Sequence, residues 1–158
     1  MMEKLTKLIM YALLAGVILS PFIANIYLIY NKNNFSCEAK TNTQRGDVHY
    51  LARIVFHFKG GAGEFHMVGT YIGLDNVLRK VEWNAPFTYT RDETGRTLLL
   101  SSESIKDNEL AMLLKPVISD FYLFKDRELN IMLSPQGNEG YVFITDGIPV
   151  LLCVKVNT

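Results

Sequence analysis

The hydrophobic pattern divides the chain into one long uncharged segment and a longer region in which apolar and polar positions alternate. Residues 8–30 form a run of 23 residues without a charged side chain. As a helix at ~1.5 Å per residue this run would be about 34 Å long, and the hydrocarbon core of a bilayer is ~30 Å thick. The pattern therefore predicts a transmembrane helix over 8–30, preceded by a short cytoplasmic tail over 1–7.

A cleaved signal peptide is the main alternative to a retained membrane anchor. Signal peptides have an apolar core of ~7–15 residues and a small-x-small cleavage site. The run in this chain is longer and ends without such a site, and Tyr27 and Tyr30 near its end are typical of a membrane interface. A polar run over 31–34 also argues against a lipoprotein signal that ends at Cys37. We therefore favour a retained single-span anchor.

One face of the predicted helix carries small residues. Ala12, Gly16, Ser20 and Ala24 follow one another at four-residue spacing, and Asn25 lies beside them. Small residues allow two helix backbones to approach closely, and an amide side chain can form a hydrogen bond across such a contact. These residues are therefore candidates for contact with a second transmembrane helix. The alternative is that small residues are common in membrane-spanning helices generally.

The region after the anchor predicts a hairpin of two β-strands. Apolar residues at every second position over 48–58 indicate a strand with one buried face. The glycine-rich stretch 60–63 predicts a four-residue loop, after which a second strand returns. A loop of this length places His57 opposite His66.

Further runs and turns complete the predicted domain, which we place at 47–158. Asp107 and Pro116 bracket a short helix near 108–115, the first as its N-cap and the second as its terminator. The polar stretch 31–46 is interpreted as a juxtamembrane tether. We predict a mainly β (α+β) fold, with an antiparallel, partly open barrel-like sheet of seven or eight strands and one short helix. The remaining predicted strands cover 64–71, 77–83, 87–91, 96–101, 128–133, 140–145 and 150–156.

The chain contains two cysteines, Cys37 just after the anchor and Cys153 near the C-terminus. We predict that they form one disulfide, which indicates an oxidising compartment. This prediction places residues 31–158 in a periplasm-like space and the N-terminus in the cytoplasm. In the chain-entropy model, closing a loop of this length stabilises the fold by roughly 4–5 kcal/mol. The alternative is a pair of unrelated buried thiols.

Charge and motif content narrow the classes of function. The chain has 16 Lys+Arg and 16 Asp+Glu, and this balance argues against direct binding of nucleic acid. The stretch 60–63 lacks the Gly-Lys-Ser/Thr ending of a phosphate-binding loop, and the chain has neither a nucleophile-elbow motif nor a zinc-protease motif. We expect no catalytic residues, no bound metal and no cofactor, and so we do not expect an enzyme.

His57 and His66 are a candidate pH-sensitive pair, because imidazole titrates near neutrality. His49 lies eight residues before His57, roughly 26 Å along a strand at ~3.3 Å per residue, too far to complete a metal site. The alternative is that both histidines lie on a solvated or partner-facing strand surface.

Short motifs along the chain resemble those of the FidL-like inner-membrane proteins of enteric bacteria. The resemblance also includes the layout of a single span followed by one domain, and it extends over nearly the whole chain. The motifs that carry it are NNFSCEA over 33–39, DFYL over 120–123, EL over 128–129, GYVF over 140–143, IP over 148–149, and Cys153.

The resemblance implies an accessory role rather than a reaction. FidL-like proteins are similar in logic to the accessory member of the ToxR/ToxS pairing, which accompanies a membrane-spanning transcription regulator with a cytoplasmic winged-helix domain. The implied function is to form a heterodimer with such a regulator and to stabilise or gate it, with a bile-salt-like or other apolar molecule as a ligand. The alternative is a solitary membrane-tethered barrel that binds a small apolar ligand or serves the cell envelope.

Overall fold

A computed structural model describes residues 2–156, except for the side chains of residues 2–8 and Ala12. Contacts divide the chain into two units, one ending at Asn34 and the other beginning at Phe35. The first unit is essentially one helix, and the second is a β-barrel.

The helix α1 comprises Met2–Asn33 and includes Pro21. Its segment Ile9–Asn33 has 25 residues, a mean hydropathy of 2.1 and no burial. By length and composition this segment is sufficient to cross a membrane, a property shared by membrane anchors and N-terminal signal sequences. At the end of the helix, the side-chain amide of Asn34 donates to the carbonyl of Tyr30 at 2.7 Å.

Eight antiparallel strands in the described part of the chain form a closed barrel in sequence order. The predicted fold class is therefore confirmed as mostly β and antiparallel with one short helix, whereas the sheet closes where we expected it to stay partly open. The strands are β1 (Asn34–Arg45), β2 (Val48–Lys59), β3 (Ala62–Ile72), β4 (Leu78–Arg91), β5 (Arg96–Ser101), β6 (Glu128–Gln136), β7 (Gly140–Thr145) and β8 (Ile148–Lys155).

The closure depends on β1, and β1 lies in the stretch 31–46 that the polar composition marks as a tether. That interpretation is wrong for most of the stretch. Phe35, Cys37 and Ala39 alternate with more exposed residues and are buried in the barrel. The polar composition of the stretch hid this two-residue period, because the buried positions include residues as small as alanine and cysteine.

The seam between β1 and β8 joins the two ends of the barrel domain. Among the described residues, the register pairs Cys37, Glu38 and Ala39 with Lys155, Val154 and Cys153 in that order. The predicted disulfide is present inside this short ladder, with Cys37 and Cys153 fully buried and their Cα atoms 5.2 Å apart. A short strand ladder and one covalent bond therefore hold the ends of the domain together.

The first hairpin has the predicted faces but a different register. β2 and β3 pair with Lys59 opposite Ala62, so the loop consists of Gly60 and Gly61 alone. Both glycines have positive φ, 57° and 98°, as a two-residue turn of type I′ requires. The predicted four-residue loop is therefore wrong, and every cross-strand pair moves by two residues without changing its face.

Aromatic side chains fill much of the barrel interior. The ring centroids of Phe56 and Phe143 are 5.2 Å apart, and those of Phe35 and Phe58 are 4.5 Å apart. An eight-stranded barrel has an interior that side chains are just able to fill. Residues of β1, β2 and β7 thereby form a continuous core across the lumen.

Residues 102–127, which connect β5 to β6, pack into one end of the barrel and are called the cap segment below. The segment contains helix α2 (Asn108–Leu114) and a 3₁₀ turn (Asp120–Tyr122). The Asp107 side chain accepts a hydrogen bond from the backbone N–H of Leu110 at 3.0 Å, which confirms the predicted N-cap. The helix ends one residue before the predicted limit.

Replacing both Cys37 and Cys153 with alanine is expected to lower the free energy of unfolding by about 4 kcal/mol. The disulfide spans 116 residues, and its removal returns the entropy of this loop to the unfolded chain. Denaturant titration of the full chain in detergent, followed by the fluorescence of its single tryptophan, measures the change. Reduction of the wild type should reproduce the variant curve, and a loss below about 1 kcal/mol would contradict the prediction.

Candidate functional site

An apolar cleft enters the barrel beside the seam, and we call it the seam cleft. Its volume is about 390 Å³. Thr41 and Thr43 line it from β1, and Val150 and Leu151 line it from β8. The pairing of β1 with β8 covers 37–39 on β1. The cleft therefore occupies the part of the seam that lies beyond the last paired residues.

The floor of the seam cleft is the barrel core itself. It consists of inward-facing side chains from β2, β3, β6 and β7, each of them at most 3% exposed. These residues are Ile54, Met67, Ile131 and Phe143. A molecule in the cleft would therefore contact side chains that are otherwise shielded from water.

The cap segment forms the remaining boundary, with Val117, Ile118, Ser119 and Tyr122 as its lining residues. Tyr122 follows Phe121 in the 3₁₀ turn, and its ring packs 5.2 Å from that of Phe65 in an edge-on arrangement. Phe121 and Tyr122 therefore fill part of the lumen, and Tyr122 also borders the cleft.

Side chains of three strands hold the cap segment by hydrogen bonds to its backbone. The Trp83 indole N–H of β4 donates to the carbonyl of Tyr122 at 3.1 Å, and the hydroxyl of buried Ser101 donates to a cap carbonyl at 2.6 Å. From β1, Arg45 Nη1 donates to the carbonyl of Pro116 at 3.0 Å. The cap is thus fixed to the barrel wall at β1, β4 and β5.

The polar side chains that line the seam cleft carry hydroxyl groups. Thr41 and Thr43 lie 3.4 Å apart between their Oγ1 atoms, and the lining also includes Ser119, Tyr122 and Thr145. Burial raises the pKa of the Tyr122 phenol well above its usual range, so this group stays protonated at physiological pH. Among the described residues, no charged side chain lines the cleft.

The opposite end of the barrel is filled. The ring centroids of Phe35 and Tyr141 are 4.3 Å apart, and the guanidinium carbon of Arg91 lies 5.5 Å from the Phe35 ring centroid. Arg91 Nε donates to the hydroxyl of Thr97 at 3.1 Å. Burial lowers the pKa of Arg91, whose aliphatic stem and planar head pack among these rings.

A larger concavity, of about 560 Å³, lies on the outside of strands β2 to β4. Charged side chains rim it, among them Lys40, Arg53, Lys80 and Glu82. Arg53 also forms an ion pair with Glu38 at 3.6 Å. Its lining includes the core residues Ala52 and Val81, but not the larger aliphatic and aromatic side chains of the lumen that the seam cleft reaches, and so the smaller seam cleft is the stronger candidate for a binding site.

The outer face of β8 is apolar and exposed. Leu152 and Val154 are 57% and 48% exposed, and we call them the outer strip. The alternation shifts at a bulge between β7 and β8, so that Ile148 lies opposite the cleft residue Thr145 and Val150 itself lines the seam cleft. The outer face of β2 carries histidine, arginine and lysine side chains together with Leu51, which is 56% exposed. Contiguous apolar surface on a folded domain is typical of a contact site for a protein or a membrane.

The structure separates the two histidines that we predicted to face one another. His57 lies opposite Glu64, and His66 lies opposite Val55, because the hairpin loop is two residues shorter than expected. His57 Nδ1 is 2.8 Å from the hydroxyl of Ser36, whereas His66 Nε2 is 3.5 Å from a carboxylate oxygen of β4. The predicted cross-strand pair of histidines is therefore wrong.

The small-residue face of α1 is accessible along its described part. Gly16, Ser20, Ala24 and Asn25 are exposed, and a Cβ atom added at Gly16 would meet no atom within 4 Å. The side chain of Ala12 lies outside the described residues. The role of this face in helix contact stays a prediction.

Metal-binding residues do not cluster in the part of the chain whose side chains are described. No group of three or more His, Cys, Asp or Glu residues comes together there. The two cysteines are joined in the disulfide.

Sequence reasoning missed the seam cleft, although one signal for it was present. Thr41 and Thr43 continue the alternation that begins at Phe35. This two-residue period identifies a strand with one face directed to the barrel interior. The cap residues 117–119 carry no such signal. Their position depends on the long-range hydrogen bonds of the cap segment.

A protein-family model gives the relationship of this chain to known proteins. The model of the YqeJ C-terminal domain matches residues 25–153, which include the end of α1 and nearly all of the barrel. No curated protein and no solved structure matches the chain. The match covers most of the chain, and the protein therefore belongs to the YqeJ C-terminal domain family.

Proposed function

We propose that this protein is a membrane-anchored barrel that binds a small apolar molecule in the seam cleft. The observation that carries this proposal is the cleft itself, which reaches the buried core at Ile54, Met67 and Phe143. Its volume of about 390 Å³ falls within the range of ~300–1,000 Å³ that is common for small-molecule sites. Burial of apolar ligand surface there would contribute roughly 25 cal/mol per Å².

The apolar helix and the disulfide support a proposed location for the barrel. The apolar helix α1 is proposed to remain as a single span of the bacterial inner membrane, with the N-terminus in the cytoplasm. The Cys37–Cys153 bond supports this orientation, because disulfides persist in the periplasm and are rare in the cytoplasm. The seam cleft would then receive a ligand from the periplasmic side.

Filling the seam cleft is expected to abolish ligand binding. In the variant Thr43→Phe, the new ring would occupy the cleft between β1 and the cap segment. The matched control is Asn42→Phe, because Asn42 is the adjacent residue on the same strand and is exposed. The neutral probe N-phenylnaphthylamine should give a saturable fluorescence increase with the wild type. This increase should be at least tenfold smaller with Thr43→Phe and should equal the wild-type increase with Asn42→Phe.

The probe titration uses the full chain in lipid nanodiscs, with empty nanodiscs subtracted. Equal probe binding by the wild type and both variants would show that the probe binds elsewhere, and the proposal would then fail. Thermal unfolding of each variant verifies that the barrel is intact before the binding curves are compared.

A second candidate function is that of an accessory subunit to a membrane-spanning transcription regulator with a cytoplasmic winged-helix domain. The outer strip of β8 favours it, because exposed aliphatic residues along one strand suit a protein contact. The resemblance to FidL-like proteins points in the same direction. In this proposal the barrel forms a heterodimer with the regulator and stabilises or gates it, with the ligand in the seam cleft.

A charge in the outer strip is expected to prevent this pairing. Leu152→Lys would bury an unpaired ammonium in the contact, at a cost of several kcal/mol. The matched control is Leu100→Lys on the outer face of β5, where Glu128 lies directly opposite and offers a counter-charge. Purification from native membranes, with partners identified by mass spectrometry, should recover such a regulator with the wild type and the control. The Leu152→Lys variant should recover at most a tenth as much.

Recovery of the same regulator in equal amount with Leu152→Lys would contradict a contact at the outer strip. Recovery of the wild type without a regulator, from membranes that contain one, would contradict the accessory function itself.

A further inference from the structure

The lining of the seam cleft combines apolar side chains with hydroxyl groups of Thr41, Thr43, Ser119, Tyr122 and Thr145. Hydroxyls donate and accept hydrogen bonds but carry no charge. An ionic group held among them would lose most of its hydration and gain no counter-charge, which is an unfavourable exchange. An uncharged polar group would lose less hydration free energy and would find hydrogen-bond partners on β1, on β7 and in the cap segment.

Arg45 on β1 is the cationic side chain that the structure ties to the cap beside the cleft, and it does not line the cleft. Its Nη1 donates to the carbonyl of Pro116 at 3.0 Å, one residue before the lining residue Val117. The guanidinium thus bridges β1 and the cap segment. This hydrogen bond is made to the backbone of the cap segment, and the Arg45 side chain is exposed to solvent.

The Tyr122 phenol is a further uncharged polar group beside the cleft. Tyr122 borders the cleft and is 8% exposed. A protonated phenol beside the core can donate one hydrogen bond to an ether, hydroxyl or carbonyl oxygen. The site therefore offers neutral donors and acceptors next to a deep apolar floor.

We infer that the seam cleft selects uncharged amphiphiles, with an apolar body against the barrel core and a hydroxyl, ether or carbonyl group against the cleft hydroxyls. This inference rests on the proposed binding function and adds the chemical class of the ligand. It distinguishes neutral lipid-like alcohols from organic anions and cations with the same apolar body.

The test compares three ligands that share a ten-carbon chain and differ in charge. They are 1-decanol, decyl sulfate and decyltrimethylammonium. Trp83 is the single tryptophan of the chain and donates to the backbone of Tyr122, so its fluorescence reports on the cleft. The full chain is held in phosphatidylcholine nanodiscs, and half-saturation is expressed as the free aqueous concentration of each ligand.

We expect 1-decanol to half-saturate the Trp83 change at a concentration at least tenfold lower than either charged ligand. The change should be absent in Thr43→Phe and present in Asn42→Phe. The contrary result is a charged ligand that binds as tightly as the alcohol and also loses its signal in Thr43→Phe but not in Asn42→Phe. That result would overturn the inference about ligand charge and leave the binding function standing. The absence of a saturable change with all three ligands would overturn both.

A variant that adds a charge to the lining provides an independent arm of the test. Thr43→Lys should lower the half-saturating concentration of decyl sulfate at least tenfold, whereas Asn42→Lys on the outer face should leave it unchanged. Thr145→Lys, at the β7 side of the cleft, serves the same purpose if the first variant is unstable. No gain for the anion in a folded lining variant would overturn the inference, because charge would then not govern selection.

Discussion

Closure of the barrel at the β1–β8 seam is the constraint on which the rest of the structure depends. An open sheet would leave two edges unpaired and would expose the aromatic core. Here the two ends of the domain meet through residues 37–39 and 153–155, and the Cys37–Cys153 bond lies among them. A short ladder of this kind is a weak point in a barrel, and the covalent bond compensates for its length.

The short seam also explains why the cleft lies where it does. Beyond Ala39 and Cys153 the two strands contribute side chains to a cavity, while the other end of the lumen is filled by Phe35, Tyr141 and Arg91. The cap segment then determines how much space remains. It inserts Phe121 and Tyr122 among the core rings and leaves the region beside Thr41 and Thr43 unfilled.

Much of this fold was predictable from periodicity, because each strand buries alternate residues. The buried face of β2, the N-cap Asp107 and the disulfide all followed from local pattern or cysteine count. The strand β1 did not, because it is rich in polar residues and its burial depends on pairing with a strand more than 100 residues away in the chain.

The hairpin loop shows a different limit. Loops of two and four residues around the same glycines give the same buried face, so alternation cannot distinguish between them. The positive φ of Gly60 and Gly61 does distinguish them, and this difference of two residues decides whether His57 faces His66 or Glu64.

The two proposed functions use opposite faces of one strand. Leu151 of β8 points into the seam cleft, and Leu152 belongs to the outer strip. On the far side of the seam, β1 carries Thr41 and Thr43 and begins at the residue that follows α1. Because adjacent strand residues point to opposite faces, a ligand inside the barrel and a protein outside it would contact the same backbone without competing for the same side chains. Ligand binding and partner binding at Leu152 and Val154 are therefore sterically compatible in this fold, whereas Val150 is both exposed and part of the cleft lining, so a contact there would involve both surfaces.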